Sequence, residues 1–314
     1  MKKNKQYKII FMGTPQFSVP ILSGLIDNYD VVAVVTQPDK KVGRKQKIVP
    51  SPIKELALEN KIKVLQPERV KSNTAFIERI KDLSPDLIVV AAYGFILPQE
   101  LLEIPKYAVI NVHASLLPKY RGPSPIQTVI LNGDNQTGVT IMLVNAKMDE
   151  GDILSQQQAD IADNETFVSL HDKLSILGAH LLIDTLPKYL NKEISPQKQD
   201  DKKATYCKLI TKEDGRIDWS QPAQKIERQV RALNPWPGTW TEWDGRILKI
   251  SAVMLNPVEV SAEIGEVFKY DNKLVVICGK GALQIEKLQL EGKNSMTAKE
   301  FLNGYPSIIK QILK

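Results

Sequence analysis

The chain has 314 residues, of which 43% are apolar and 25% charged, with a net charge of +6. That length exceeds one ordinary domain of about 100–200 residues, and the composition excludes a disordered chain, a collagen and a coiled coil. No apolar run approaches the roughly 18 residues that a bilayer span needs, and the apolar stretch after Lys2, Lys3 and Lys5 is cut off by Gly13-Thr14-Pro15, against a secretory signal.

In chain order, residues 8–12 read as a buried strand, followed by a turn and a helix over 17–28. Further strands are expected at 31–36, 62–66, 87–91, 107–112 and 139–144, with helices at 52–59 and 73–83 between them and another near 124–131. Strands alternating with helices predict an α/β fold with an open, mostly parallel sheet, Rossmann-like, and the unbroken apolar runs at 31–35 and 87–92 suit strands covered on both faces. A long helix is expected over 166–190. The stretch 191–203 (NKEISPQKQDDKK) is polar and charged and reads as a linker. Short strands at 246–254, 265–270, 274–278 and 282–290 then follow a helix at 222–232 and precede one near 297–302; a small β-barrel fits. The division is 1–190, a linker at 191–206, and 207–314.

Gly13 follows the first strand, where a dinucleotide loop would sit, but no GxGxxG and no GxxxxGK[ST] surrounds it. A tight strand-to-helix turn is the better reading, which disfavours a nicotinamide-dependent oxidoreductase. The three histidines and two cysteines are scattered, so no metal site is expected. Cys207 and Cys278 form no CxxC, in keeping with a reducing cytoplasm. Asn111 and His113 lie two apart at the end of one strand and share a face. They stand at the carboxyl edge, where open α/β sheets bind ligands. An amide donor beside an imidazole suits a reaction that develops an oxyanion; an ordinary strand-end histidine remains the alternative. The loop Ser115-Leu116-Leu117-Pro118 can line a pocket. Asp149, Glu150 and Asp152 cluster on the loop after the next strand, as partners for His113 or as a solvated turn. Residues 40–47 carry Lys40, Lys41, Arg44, Lys45 and Lys47 and no acid, which fits a phosphate-contacting loop or a solvated face.

Several segments together resemble the formyltransferase family. They are Phe11-Met12-Gly13-Thr14-Pro15 with Phe17, Gln37-Pro38-Asp39, Val49-Pro50-Ser51-Pro52 and Ala92-Tyr93-Gly94-Phe95-Ile96-Leu97-Pro98. The most specific is Asn111-Val112-His113-Ala114-Ser115-Leu116-Leu117-Pro118 with Tyr120-Arg121-Gly122; Asp149-Glu150-Gly151-Asp152 and Asn234-Pro235-Trp236-Pro237-Gly238 complete the set. The resemblance implies a Rossmann-like domain that binds 10-formyltetrahydrofolate and a C-terminal OB-fold-like barrel. It implies transfer of the formyl group to the α-amino group of methionine on initiator tRNA, without a metal. Asn111, His113 and Asp149 match the family's catalytic residues, and Ser115, Leu116, Leu117 and Pro118 a folate-binding segment. Arg44, Lys45 and Lys47 match the segment that contacts the acceptor stem. Residues 144–147 depart from the usual pattern, which leaves Asp152 as a competitor of Asp149. A cytoplasmic monomer without membrane attachment is expected. A formyltetrahydrofolate hydrolase, a sugar-nucleotide formyltransferase and a non-catalytic RNA-binding protein are the competing functions.

Overall fold

The computed structural model describes residues 4–42, 46–258 and 262–314. They form two compact units. The strands of the first unit are β1 (Asn4–Gly13), β2 (Tyr29–Val35), β3 (Lys40–Val42), β4 (Lys47–Val49), β5 (Lys63–Leu65), β6 (Leu87–Ala91), β7 (Ala108–His113), β8 (Gln136–Leu143) and β9 (Ile153–Asp160). Between them run helices α1 (Val19–Asn28), α2 (Pro52–Glu59), α3 (Thr74–Asp82) and α4 (Gln99–Leu102).

The main sheet has the order β5-β2-β1-β6-β7-β8-β9. Its first five strands are parallel, and β8 and β9 are antiparallel additions. The continuous apolar sequences explain the parallel part. Ile9, Ile10, Phe11 and Met12 of β1 are all fully buried, so both faces of that strand are covered. On one face Ile10, Met12, Ile88 and Val90 pack with Phe76 and Ile80 of α3. The register pairs Gly13 with Ala91 and Val35 with Leu65, so the loops after β1, β2, β6 and β7 all leave from one edge. The segments singled out at residues 11–17, 37–52, 92–98 and 111–122 therefore gather at the carboxyl end of the sheet. Gly13 is the tight turn expected of it: a Cβ there would stand 2.9 Å from both Ala91 O and Ser18 Cβ.

Two features differ from the expectations in this unit. β9 reads as loop because its Gln156-Gln157-Gln158 run is polar; it is the last strand of the sheet, where those three side chains are exposed. The basic segment contains a two-stranded ladder, β3 with β4, pairing Lys40 with Val49 and Val42 with Lys47. Its base is pinned: Asp39 accepts from Lys54 Nζ at 2.6 Å and Gln66 Nε2 at 2.7 Å, and Thr36 meets Ser51 at 2.7 Å. Ser51 also caps α2, accepting from Lys54 N ahead of Pro52 at the first helical position. The bonds from Lys54 and Gln66 hold the Asp39 carboxyl below the usual carboxylate range.

The stretch expected as a linker is bound to the first unit. Gln197 pairs with Ile153 of β9 through bonds of 2.8 and 2.9 Å, and Tyr206 bridges to Arg121. It lacks apolar periodicity because backbone ladders and polar side chains hold it.

Helix α5 (Pro125–Asn132) follows the 114–124 loop, and α6 (Phe167–Leu190) follows β9. The second unit holds α7 (Ala223–Leu233), strands β10 (Thr239–Trp243), β11 (Arg246–Asn256), β12 (Val267–Tyr270), β13 (Lys273–Ile277), β14 (Ala282–Leu290) and β15 (Met296–Thr297), and α8 (Ala298–Gly304). Its antiparallel ladder runs β10-β11-β14-β13-β12. The chain terminus joins the two edges. Lys314 exchanges bonds with Glu242 of β10, and Leu313 N and Gln311 O bond to Gly265 and Val267 beside β12. The sheet is thereby closed into a barrel, which removes its open edges. Its core includes Leu248, Ile250, Val267 and Leu288, with Trp243 edge-on to Phe301 of α8 at 5.7 Å.

Candidate active site

Strand β7 is buried along most of its length and carries the site's first two residues. Asn111 lies between Val90 and Met142, and His113 opposite Thr140. Alternation puts both on the same face, about 7 Å apart along the strand. His113 is 6% exposed. Its Nε2 lies 3.0 Å from Tyr120 O; a carbonyl only accepts, so Nε2 donates there. Its Nδ1 faces Asp149 Oδ1 at 3.6 Å. The Asn111 amide is half-buried and makes no side-chain hydrogen bond among the described residues, so its donors are unspent.

Asp149 reaches His113 by a route that strand order alone conceals. The β8–β9 loop leaves beside Val109, with Val144 N donating to Val109 O at 2.8 Å, toward the amino end of β7. Leu143 N then bonds to Asp152 O at 2.9 Å, closing the loop, and the segment between folds back so that Asp149 meets His113. The fold-back uses a left-handed backbone at Asp149, φ 54°. The second carboxylate oxygen accepts from Gly122 N at 2.8 Å. Gly122 itself has φ 118°, and a Cβ there would lie 2.5 Å from Cys207 O. Of the two acids in competition, Asp149 faces the imidazole; Asp152 bonds through its backbone to β8.

The loop after β7 is tied inward. Thr140 Oγ1 donates to Ser115 O at 2.7 Å and accepts from Leu117 N at 3.1 Å, and Gln156 Nε2 donates to Leu117 O at 2.8 Å. Ser115 Oγ bonds to Lys119 O at 2.6 Å. Ser115 and Leu117 are therefore buried scaffold, and Leu116 and Pro118 are the half-buried members of the segment. Across the edge, Gln37 Nε2 donates to Tyr93 O at 3.0 Å in the 92–98 loop, where Ile96 is 74% exposed.

Sequence reasoning missed a buried cation. Arg121 is 1% exposed. Its guanidinium bonds to Gln199 Oε1 at 3.0 Å, Asp201 at 2.7 Å and Tyr206 at 3.3 Å, and it lies 3.6 Å from Glu150. Burial lowers its proton affinity, but the bonds it donates to Asp201 and Tyr206, with their charge, outweigh that and leave it above the ordinary arginine value. The available signal was chemical: an arginine in a buried motif requires acceptors, and Gln199-Asp200-Asp201 supplies them.

Of the basic segment, Lys47 is exposed on β4, whereas Arg44 and Lys45 lie outside the described residues. Among the described residues no cluster of His, Cys, Asp and Glu is arranged to hold a metal ion, and no helix is long and apolar enough to cross a membrane.

With this geometry in place, comparison with known proteins decides the family. The formyl transferase family matches residues 7–186, and the C-terminal domain of formyl transferases matches residues 209–306. The chain belongs to the formyl transferase family. It is 49% identical to a methionyl-tRNA formyltransferase of Caldanaerobacter subterraneus subsp. tengcongensis, over 95% of this chain and 97% of that one. It is 47% identical to the methionyl-tRNA formyltransferase of Bacillus subtilis, over 95% of this chain and 94% of that one. Among solved structures, an N-formyltransferase from Helicobacter canadensis, in complex with folinic acid and dTDP-3-aminofucose, shares the fold. Its TM-score is 0.66 at 21% identity, covering 89% of this chain and 98% of that one. HypX from Aquifex aeolicus in complex with tetrahydrofolic acid superposes with a TM-score of 0.64 at 16% identity, covering 97% of this chain and 48% of that one.

Proposed function

We propose that the protein transfers the formyl group of 10-formyltetrahydrofolate to the α-amino group of methionyl initiator tRNA. The observation that carries the reading is Asp149 against His113, beside an Asn111 amide with unspent donors, in a formyl transferase chain. The 49% identity to a methionyl-tRNA formyltransferase supports the tRNA acceptor over a sugar nucleotide.

The amine attacks as its free base; a typical α-amino pKa of about 7.7–8.0 leaves a useful fraction neutral near pH 7. Attack at the formyl carbon makes a tetrahedral intermediate with a negative oxygen. Asn111 donates to that oxygen. His113 Nε2–H, held by Tyr120 O in the resting site, is drawn to the stronger charged acceptor. Asp149 keeps Nδ1 facing a carboxylate and relays the proton that the amine loses to the folate nitrogen as the carbon–nitrogen bond breaks. These groups supply charge and proton transfer without a metal. Leu116 and Pro118, with the 92–98 loop opposite, form the apolar walls for the folate, while Ser115 and Leu117 hold their loop in place.

Arg44, Lys45 and Lys47 contact the acceptor stem, which is A-form RNA read through shape, phosphates and its unpaired end. Their segment springs from the same sheet edge as His113, and its pinned base supports that reading. The C-terminal barrel adds a second tRNA surface. We read the protein as a monomer of the cytoplasm, where its two free, buried cysteines would stay reduced. The test is incubation with 10-formyltetrahydrofolate with and without charged initiator tRNA. Free tetrahydrofolate should accumulate when the charged tRNA is present; release at the same rate without it indicates a hydrolase.

A further inference from the structure

Residues 191–203 carry no apolar pattern, yet one polar side chain among them is drawn in. Apart from Ile194, Gln199 is the only residue of that stretch that is not exposed. Its amide Nε2 donates to two carbonyls of the loop that delivers Asp149, Asp149 O and Gly151 O, both at 2.8 Å. Its Oε1 accepts from Arg121 Nε at 3.0 Å, so donor and acceptor ends are both engaged. The segment that carries Gln199 is anchored on either side. Gln197 pairs with Ile153 at the end of the same loop, and Thr205 and Cys207 bond to Arg121 N and O at 2.9 and 2.8 Å. Thr205 Oγ1 also accepts from Tyr120 N at 2.9 Å, and Tyr120 O is the acceptor for His113.

We infer that Gln199 is a positioning residue for formyl transfer: its amide holds the Asp149 and Gly151 carbonyls so that the Asp149 carboxylate stays against His113. The inference rests on the proposed role of Asp149. The loop leaves β8 toward the far end of β7, and a left-handed residue must turn it back. Only two groups in the described contacts grip Asp149 from outside its loop besides His113: Gly122 N on the carboxylate and Gln199 on the main chain. Gln199 touches neither reacting group, so its loss changes the placement of Asp149 and not the chemistry available.

The experiment is a double-mutant cycle on the full chain, with kcat, both KM values and donor affinity measured. Gln199→Met keeps the length and removes the donors. A misplacement of about 1 Å costs up to about 100-fold, so kcat should fall by about 10- to 100-fold with both KM values and donor affinity within about twofold. In an Asp149→Asn background the same change should add little, because the group being positioned is already lost. Gln199→Glu retains an acceptor for Arg121 and lacks the amide donors, so it should be as slow as Gln199→Met; recovery of kcat would mean that Gln199 only anchors Arg121, and would overturn the inference. A normal Gln199→Met enzyme beside a crippled Asp149→Asn enzyme overturns the inference alone, as does full additivity of the two. A normal Asp149→Asn enzyme overturns the site reading itself.

Discussion

Replacing Asn111 by alanine separates catalysis from stability more cleanly than any other change at the site. The backbone of Asn111 stays in its ladders with Val90 and Met142, and its side chain gives up no hydrogen bond among the described residues. Folding should therefore lose at most about 1 kcal/mol, which is roughly 2–4 °C of Tm if taken over a unit of 150–250 residues. The transition state loses a donor to the oxyanion, worth about 2.7–4 kcal/mol, or about 10²–10³ in rate. Single-turnover formyl transfer with saturating donor and charged tRNA reads kcat directly, and calorimetry reads donor affinity. The expected result is a loss of about 10²–10³ in rate with near-native melting and donor affinity within a few fold. Asn111→Asp, which keeps the shape and puts an acceptor where a donor is needed, should be at least as slow. Turnover within threefold of the parent in Asn111→Ala would refute the oxyanion assignment.

Other outcomes follow from the same structure. Arg44→Leu should lower turnover on charged initiator tRNA sharply while donor binding is unchanged, because a guanidinium forks onto phosphate or base edges. Lys47→Ala should mainly reduce the salt dependence of tRNA binding, by about one unit of log–log slope or less, measured by titration at several salt concentrations. Gly122→Ala must fit a Cβ 2.5 Å from Cys207 O at a left-handed φ and disturb the N–H that holds Asp149; thermal melting should show a loss of about 1–3 kcal/mol and kcat should fall with it. The Asp39 carboxyl is held below its usual range by its bonds to Lys54 and Gln66. The stability it contributes is present above the unfolded carboxylate pKa of about 3.9 and is lost as pH falls through the lower folded value. Asp39→Asn should therefore flatten part of the decline in Tm on acidification below about pH 4.

Much of the first unit was legible because burial writes itself into composition. Leu87–Ala91 is apolar at every position and is a strand to the residue, and α2 begins where Ser51-Pro52 signals a cap and a first turn. Asn111 and His113 were legible because a strand's period puts residues two apart on one face. Four parts were not. β9 is an edge strand with a glutamine run, so its side chains carry the signature of a loop. The pairing of Lys40–Val42 with Lys47–Val49 is hidden by charge that solvent tolerates on a two-stranded ladder. Asp149 leaves from the far end of the sheet and returns by a left-handed residue, a path set by Gly122 and Gln199, distant in sequence. The polar 191–206 stretch looked like a tether because its order comes from backbone pairing and from the buried Arg121, neither of which leaves a hydrophobic period.

The central claim is that the formyl carbon moves from the folate to the methionyl nitrogen on initiator tRNA. The most direct test uses 10-formyltetrahydrofolate labelled at the formyl carbon, followed by release of the amino acid from the tRNA and mass analysis. The account expects labelled N-formylmethionine in one-to-one proportion with tetrahydrofolate formed. Label recovered as free formate, with methionine left unmodified, would contradict it.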